Sequence, residues 1–192
     1  MLRNKDIQYF DDNKDKYIGI MMDELVNIEC LLVSHNVLRS INGIQKLTTL
    51  LTLNLSFNYI TELNGIENLT LLEDLHVNNN RILMIEPIAS LKNLKALGFF
   101  NNELVDQDVI VDTLASLPKL TELCIDGNPA TRNLEFHYTI VLKIPKLTML
   151  NEEPVKELDT TIATKYFENK GMEVPEPDAQ KDNKQIFLQE QA

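Results

Sequence analysis

The chain has 192 residues, 44% apolar but only 6% aromatic, with no Trp and a formal net charge of −11. That length suits one domain, and so acidic a surface repels phosphate backbones, which disfavours nucleic-acid or anionic-membrane binding by bulk charge. No stretch approaches the roughly 20 apolar residues of a membrane span, and Met1-Leu2-Arg3-Asn4-Lys5-Asp6 is not followed by an apolar run resembling a secretory signal.

Residues 1–27 read as an N-terminal cap. Tyr17-Ile18-Gly19-Ile20-Met21-Met22 is a candidate short strand, and Leu25, Ile28 and Leu31 fall in step with the apolar spacing of residues 28–38. Ahead of them, Ile7 and Phe10 in an acidic stretch predict a small helix or a loose arm.

Residues 28–130 carry a repeated frame. Its clearest copy is Leu72-Glu73-Asp74-Leu75-His76-Val77-Asn78-Asn79-Asn80-Arg81-Ile82, of the form LxxLxLxxNxI. The same pattern recurs at 28–38, 50–60, 94–104 and 120–130. The frame asparagines Asn36, Asn58, Asn80 and Asn102 are each 22 residues apart, and Asn128 comes after 26 more. Self-similarity at this period marks a leucine-rich repeat solenoid. The fold class is therefore α/β, with parallel strands on the concave face and 3-10 or helical turns on the convex face.

Each frame position has a physical task. Leu75 and Val77 are two apart, so in a strand they point to the same side, into the core. Asn80 comes where the chain turns, and its amide can pair backbone groups the turn leaves open. An unpaired buried group there costs roughly 1–3 kcal/mol. Between frames the apolar residues step by three, as in Leu63, Ile66, Leu69 and Leu72, which suits 3-10 turns with eclipsed i and i+3 side chains. Residues 105–119 lengthen the fourth return by four residues, and Val109, Ile110 and Leu114 predict a true helix there, with Pro118 before the next strand.

Residues 131–171 read as a C-terminal cap and helix. Phe136, Ile140, Val141 and Ile144 recur at helical spacing, and Pro145 stops that helix. Leu147 and Leu150 begin a last frame, which ends at Glu152. Residues 155–170 then predict a helix with Leu158, Ile162, Tyr166 and Phe167 on one face and Gly171 as its stop. Residues 172–192, with Pro175 and Pro177, predict an extended or disordered tail. Its apolar triplet Ile186-Phe187-Leu188 is either incidental or a docking peptide.

Strand alternation also selects the outward row: the third, fifth, seventh and eighth frame positions. The partner-binding candidates taken from it are Leu32, Asn54, Phe57, Asp74, His76, Asn78, Phe100, Asn101, Glu122 and Asp126. Leu32, Phe57 and Phe100 would be large apolar groups exposed on one surface, as in an interface core with a polar rim. The competing reading folds the Phe rings over the loop edge. Asp74, Glu122 and Asp126 form an acidic end that suits a partner with Lys or Arg opposite.

Catalysis finds no support. No Gly-rich phosphate loop, Cys-x-x-Cys pair or His-Glu-x-x-His motif occurs, and no metal site or cofactor is expected. Cys124 has acids nearby, which disfavours a thiolate. Cys30 and Cys124 lie four strands apart, roughly 19 Å at the usual strand spacing, beyond the roughly 7 Å limit between the Cα atoms of a disulfide. They are expected as free thiols, which fits a reducing compartment and makes the sequons at Asn54 and Asn68 incidental.

The 22-residue period, together with Gly127-Asn128-Pro129, Phe136-His137-Tyr138, Ile144-Pro145-Lys146-Leu147, Leu150 and Val155, resembles one subfamily of leucine-rich repeat proteins. It is typified by the leucine-rich regulatory subunit of type-1 protein phosphatase, axonemal dynein light chain 1 and the spliceosomal A-prime protein. The resemblance covers about residues 28–167, and departs at Asn151-Glu152, where the subfamily commonly has Asp-Gly. It implies a non-enzymatic interaction module that binds a protein on its concave face, in the cytoplasm, at a cilium or cytoskeletal complex, with the nucleus as an alternative. Competing roles are a phosphatase regulator, a spliceosomal-type subunit and a structural spacer that binds through its tail. The phosphatase regulator has about twice as many repeats as this chain.

Overall fold

A computed structural model describes residues 3–8, 25 and 27–177. The candidate strand at Tyr17–Met22, Phe10 and the triplet Ile186-Phe187-Leu188 lie outside these residues. Among the described residues seven strands form one sheet in chain order: β1 (Cys30–Leu32), β2 (Thr52–Asn54), β3 (Asp74–His76), β4 (Ala96–Gly98), β5 (Glu122–Cys124), β6 (Met149–Leu150) and β7 (Glu153–Pro154). The first six pair in parallel, and the register aligns Leu31, Leu53, Leu75, Leu97, Leu123 and Leu150. The repeat ends at Glu152 as expected: β7 turns back antiparallel to β6.

Behind the sheet lies one aliphatic core. Leu72, Leu75, Val77 and Ile82 are fully buried, as are their equivalents Leu50, Leu53, Leu55 and Ile60. Fully burying such a side chain contributes about 1.5–3 kcal/mol. The return limbs are 3-10 turns at Ile44–Lys46, Ile66–Asn68 and Glu86–Ser90, each placing one isoleucine in the core. In the fourth unit the four extra residues lengthen the return into helix α1 (Gln107–Ala115), which Asp106 caps by accepting from the Val109 amide at 3.1 Å.

The frame asparagines bind the turns together. Asn80 Oδ1 accepts from Ile60 N at 3.0 Å, while Nδ2 donates to Val77 O of its own unit at 2.9 Å and to Leu55 O of the preceding one at 3.1 Å. Asn58, Asn102 and Asn128 repeat this pattern against Leu38, Ile82 and Leu104. Asn36, in the first described frame, meets the segment 3–8. Its Oδ1 accepts from Lys5 N and Ile7 N, at 2.9 and 3.2 Å. Val37 N donates to Ile7 O just as Tyr59 N donates to Leu38 O. The segment 3–8 is thus neither a helix nor a loose arm. It bonds to the first frame as the end of one frame bonds to the next, and it buries Ile7 in the core.

At the other end, α2 (Leu134–Lys143) buries Phe136, Ile140 and Val141, and α3 (Glu157–Lys170) packs on it. The face predicted for this last helix is corrected. Phe167 is buried as expected, but Leu158 and Ile162 are exposed and Ala163 is buried. Its inward row runs 163–167, one residue round from the 158–162–166 row, because contact with α2 orients it more strongly than its own weak amphipathicity. Tyr166 instead meets Tyr138 of α2 at 4.9 Å between ring centroids. Gly171 ends the helix at φ 66°, a left-handed cap that glycine adopts without a Cβ clash.

Candidate protein-binding face

Strand register sets two columns on the concave surface. One runs Cys30, Thr52, Asp74, Ala96, Glu122, Met149; the other runs Leu32, Asn54, His76, Gly98, Cys124. Of the candidates, Leu32, Asn54, Asp74, His76 and Glu122 stand in these columns. Leu32 is half-buried and not exposed as expected. Asp74 Oδ2 accepts from Thr52 Oγ1 at 3.2 Å, and Asn54 Oδ1 accepts from Ser56 N at 3.0 Å.

Phe57, Asn78, Phe100, Asn101 and Asp126 stand elsewhere, beyond the strand ends, on a rim. Strands β1 to β5 are only three residues long, so simple alternation stops before the seventh and eighth positions. The eighth position is left-handed in every unit: His35 at φ 56°, Phe57 at 59°, Asn79 at 55°, Asn101 at 54° and Gly127 at 80°. Side chains on the rim link neighbouring turns. Asn78 Oδ1 accepts from Phe100 N at 2.8 Å, and Asn101 Nδ2 donates to Asn79 Oδ1 at 2.8 Å. Two residues of the expected outward row are buried instead: Ser56, at the seventh position, whose Oγ has no hydrogen-bond partner, and Gly98 in the strand.

On this rim Phe57 and Phe100 are exposed, at 47% and 41%, and Tyr59, two residues past Phe57, is exposed as well. The Phe57 ring lies flat on His35, centroids 4.1 Å apart and planes 11° from parallel. His35 in turn shares a 2.8 Å hydrogen bond with Arg3 Nη2. The competing expectation is thus half right: Phe57 does lie along the turn edge, yet nearly half of it faces solvent. Sequence alternation gave no signal for the left-handed column. The one available clue was its composition, because Asn and Gly tolerate positive φ while Phe does not.

The other end of the face is acidic and hollow. A depression of about 320 Å³ has Ala96 and Gly98 as its floor, with His76 and Asn78 on one side and Glu122, Cys124, Met149 and Glu152 on the other. That is at the lower end of the roughly 300–1,000 Å³ of small-molecule sites. Burial pushes the Cys124 thiol pKa up, and the charges of Glu152 and Asp126 push it further. Cys30 and Cys124 are both free. Among the described residues no cluster of His, Cys, Asp and Glu is placed to hold a metal, and no helix is long and apolar enough to cross a membrane.

Comparison with known proteins agrees with this architecture. The leucine-rich repeat family model matches residues 46–176, more than half of the chain. No curated protein sequence matches significantly. Among solved structures, an internalin (inlF) of Listeria monocytogenes is similar over 67% of this chain and 36% of its own, at 23% identity and a TM-score of 0.57. A second Listeria internalin, C2, is similar over 62% and 50% respectively, at 24% identity and a TM-score of 0.53. The chain thus spans half or less of the internalin chains. A chain of the Drosophila melanogaster SNF/U2A' complex is similar over 85% of this chain and 88% of its own, at 22% identity and a TM-score of 0.52. At these identities the likeness is one of fold. Domains of this kind are typically protein-interaction modules.

Proposed function

This chain belongs to the leucine-rich repeat family, and from that premise we propose that it is a non-enzymatic adaptor or assembly subunit gripping one protein partner on its concave face and rim. The partner presents a basic surface to the acidic end at Glu122 and Asp126. Following the 22-residue subfamily resemblance, the assembly is a ciliary or cytoskeletal one in the cytoplasm.

One observation carries the reading. Phe57 is half exposed and held at φ 59°, a conformation that costs an L-residue with a bulky side chain about 1–2 kcal/mol. The matching positions hold His35, Asn79, Asn101 and Gly127, and all but the histidine are residues that adopt this conformation readily. The backbone position is costly, it displays an aromatic ring to solvent, and the stack on His35, about 0.5–1.5 kcal/mol for an aromatic pair, offsets only part of that cost. This combination is what a binding anchor looks like, since aromatic anchors dominate interface energetics.

Affinity purification from the native cell, with mass spectrometry of the captured proteins, identifies the partner and separates a ciliary or cytoskeletal complex from a phosphatase or spliceosomal one. With that partner in hand, Phe57→Ala together with Phe100→Ala weakens binding by at least about 2 kcal/mol, the size of a hot spot, while the thermal melt stays nearly unchanged. Full binding by the double variant overturns the concave-face reading. Deleting residues 172–192 leaves binding intact under this reading and abolishes it if the repeats are a spacer for the tail.

A further inference from the structure

We propose that the hollow over β4 is a socket for a single cationic side chain, a Lys or Arg, carried by the partner. The proposal rests on the concave-face reading and deepens it by naming one side chain and its seat.

The hollow is built by two small residues that fall together. In one concave column Gly98 stands among Leu32, Asn54, His76 and Cys124; in the other Ala96 stands among larger residues on every strand but β1. Both are on β4, where the depression lies. The neighbours already lean over the gap. A Cβ on Gly98 would lie 2.7 Å from Asn78 Oδ1, 2.9 Å from its Nδ2 and 3.0 Å from His76 Nδ1. Anything entering must therefore be a slender chain and not a ring stacked flat on the floor.

Charge selects the occupant. Glu122 and Glu152 line the hollow and no Lys or Arg does. Neither carboxylate has an ion-pair partner among the described residues, whereas Glu73, on the neighbouring strand's approach, is paired with Lys95 at 2.6 Å. Met149, Cys124 and the Ala96 floor line the hollow beside the carboxylates, and these surfaces suit a methylene stem. An aliphatic stem ending in a cation is the amphipathic form of Lys and Arg. A carboxylate entering here would meet the like charge of Glu122 and Glu152, and a neutral chain would leave the two glutamates unanswered.

Cys124 lines the hollow and reports on its occupancy, with exposed Cys30 as a reference in the same chain. The full chain is equilibrated with cystamine, or with the neutral bis(2-hydroxyethyl) disulfide, in the presence of the matching free thiol. In each exchange the Cys124 thiolate attacks one sulfur of the probe and a mixed disulfide forms as the probe's own S–S bond breaks. The released thiolate takes up a proton equivalent to the one Cys124 gave up, so no further oxidant is needed. Peptide mass spectrometry gives the Cys124-to-Cys30 labelling ratio. That ratio is expected to be about fivefold higher for the cationic probe, the upper range of a partly exposed ion pair. It falls to the neutral probe's value in the Glu122→Gln, Glu152→Gln double variant. Equal ratios, or a preference that survives both substitutions and so reflects the chain's overall charge, overturn the socket and leave the Phe57 and Phe100 binding test to judge the face as a whole. If Cys124 does not exchange, amide NMR decides: N-acetyl-lysine methylamide shifts the Gly98 signal and the glutamine analogue does not. Equal shifts from both, or none from either, overturn the socket.

Discussion

The two sides of the sheet are made from alternate residues of the same short strands and obey opposite rules. On the core side each unit repeats the last: Leu53, Leu75, Leu97 and Leu123 stand in register, all buried. On the concave side no two units match, and Asn54, His76, Gly98 and Cys124 occupy one column. Repetition marks what holds the stack together, because each unit must present the same surface to its neighbours. Variation marks where the fold places no demand and a partner can. The concave side itself divides, with an aromatic rim at Phe57 and Phe100 and an acidic hollow at Glu122 and Glu152.

The sharpest break of this contrast lies within one strand. Leu75→Ala is expected to cost about 2–5 kcal/mol in urea unfolding, whereas His76→Ala, its neighbour on the other side, stays within about 0.5 kcal/mol. Similar losses from the two would mean the sides are not distinct. Next in size is Asn80→Ala. It leaves the Ile60 amide without its acceptor, at about 1–3 kcal/mol for a buried group left unpaired, while the Val77 and Leu55 carbonyls keep their bonds from Asn102 and Asn58. An unchanged urea midpoint would show that water replaces the side chain and that the ladder is not structural.

A smaller effect, opposite in sign, sharpens the contrast on the rim. Phe57→Asn relieves the left-handed strain but loses the stack on His35, which as an aromatic pair is worth about 0.5–1.5 kcal/mol. The melting temperature is expected to hold or rise while partner binding falls; a clear drop in melting temperature would make the ring structural instead. The smallest effect concerns Cys124. Its raised thiol pKa means the unfolded thiol ionises first as pH rises. The unfolded state then binds fewer protons, so this group lowers stability progressively above the unfolded pKa of about 8.5. Glu152→Gln removes the second cause of the shift, so iodoacetamide should alkylate Cys124 faster at pH 8. An unchanged rate would leave burial as the cause that governs the thiol.

Much of this was legible in the residues. The Asn spacing gave the stack, the steps of three gave the 3-10 returns, and the four extra residues gave α1. The outward columns were legible only over the three residues that are extended. Beyond them Ser56 turns inward and Phe57 sits at positive φ, since a period of two describes a strand and says nothing of the turn after it. Ile7 and the packing face of α3 were missed for a different reason. Ile7 meets Asn36 across 29 residues, and α3 is oriented by α2, so neither partner lies within a local pattern.

From its amino acids alone the chain determined its stack of parallel strands, its asparagine ladder and its single aliphatic core, because each depends on a pattern that recurs at fixed spacing and must be satisfied in every unit alike. Only the tertiary structure decided which concave residues meet: that Phe57 lies on His35, that Gly98 and Ala96 open a hollow, and that Glu122 and Glu152 look into it. Those meetings join different units across the sheet, where strand register and left-handed turns, not local periodicity, determine what stands beside what.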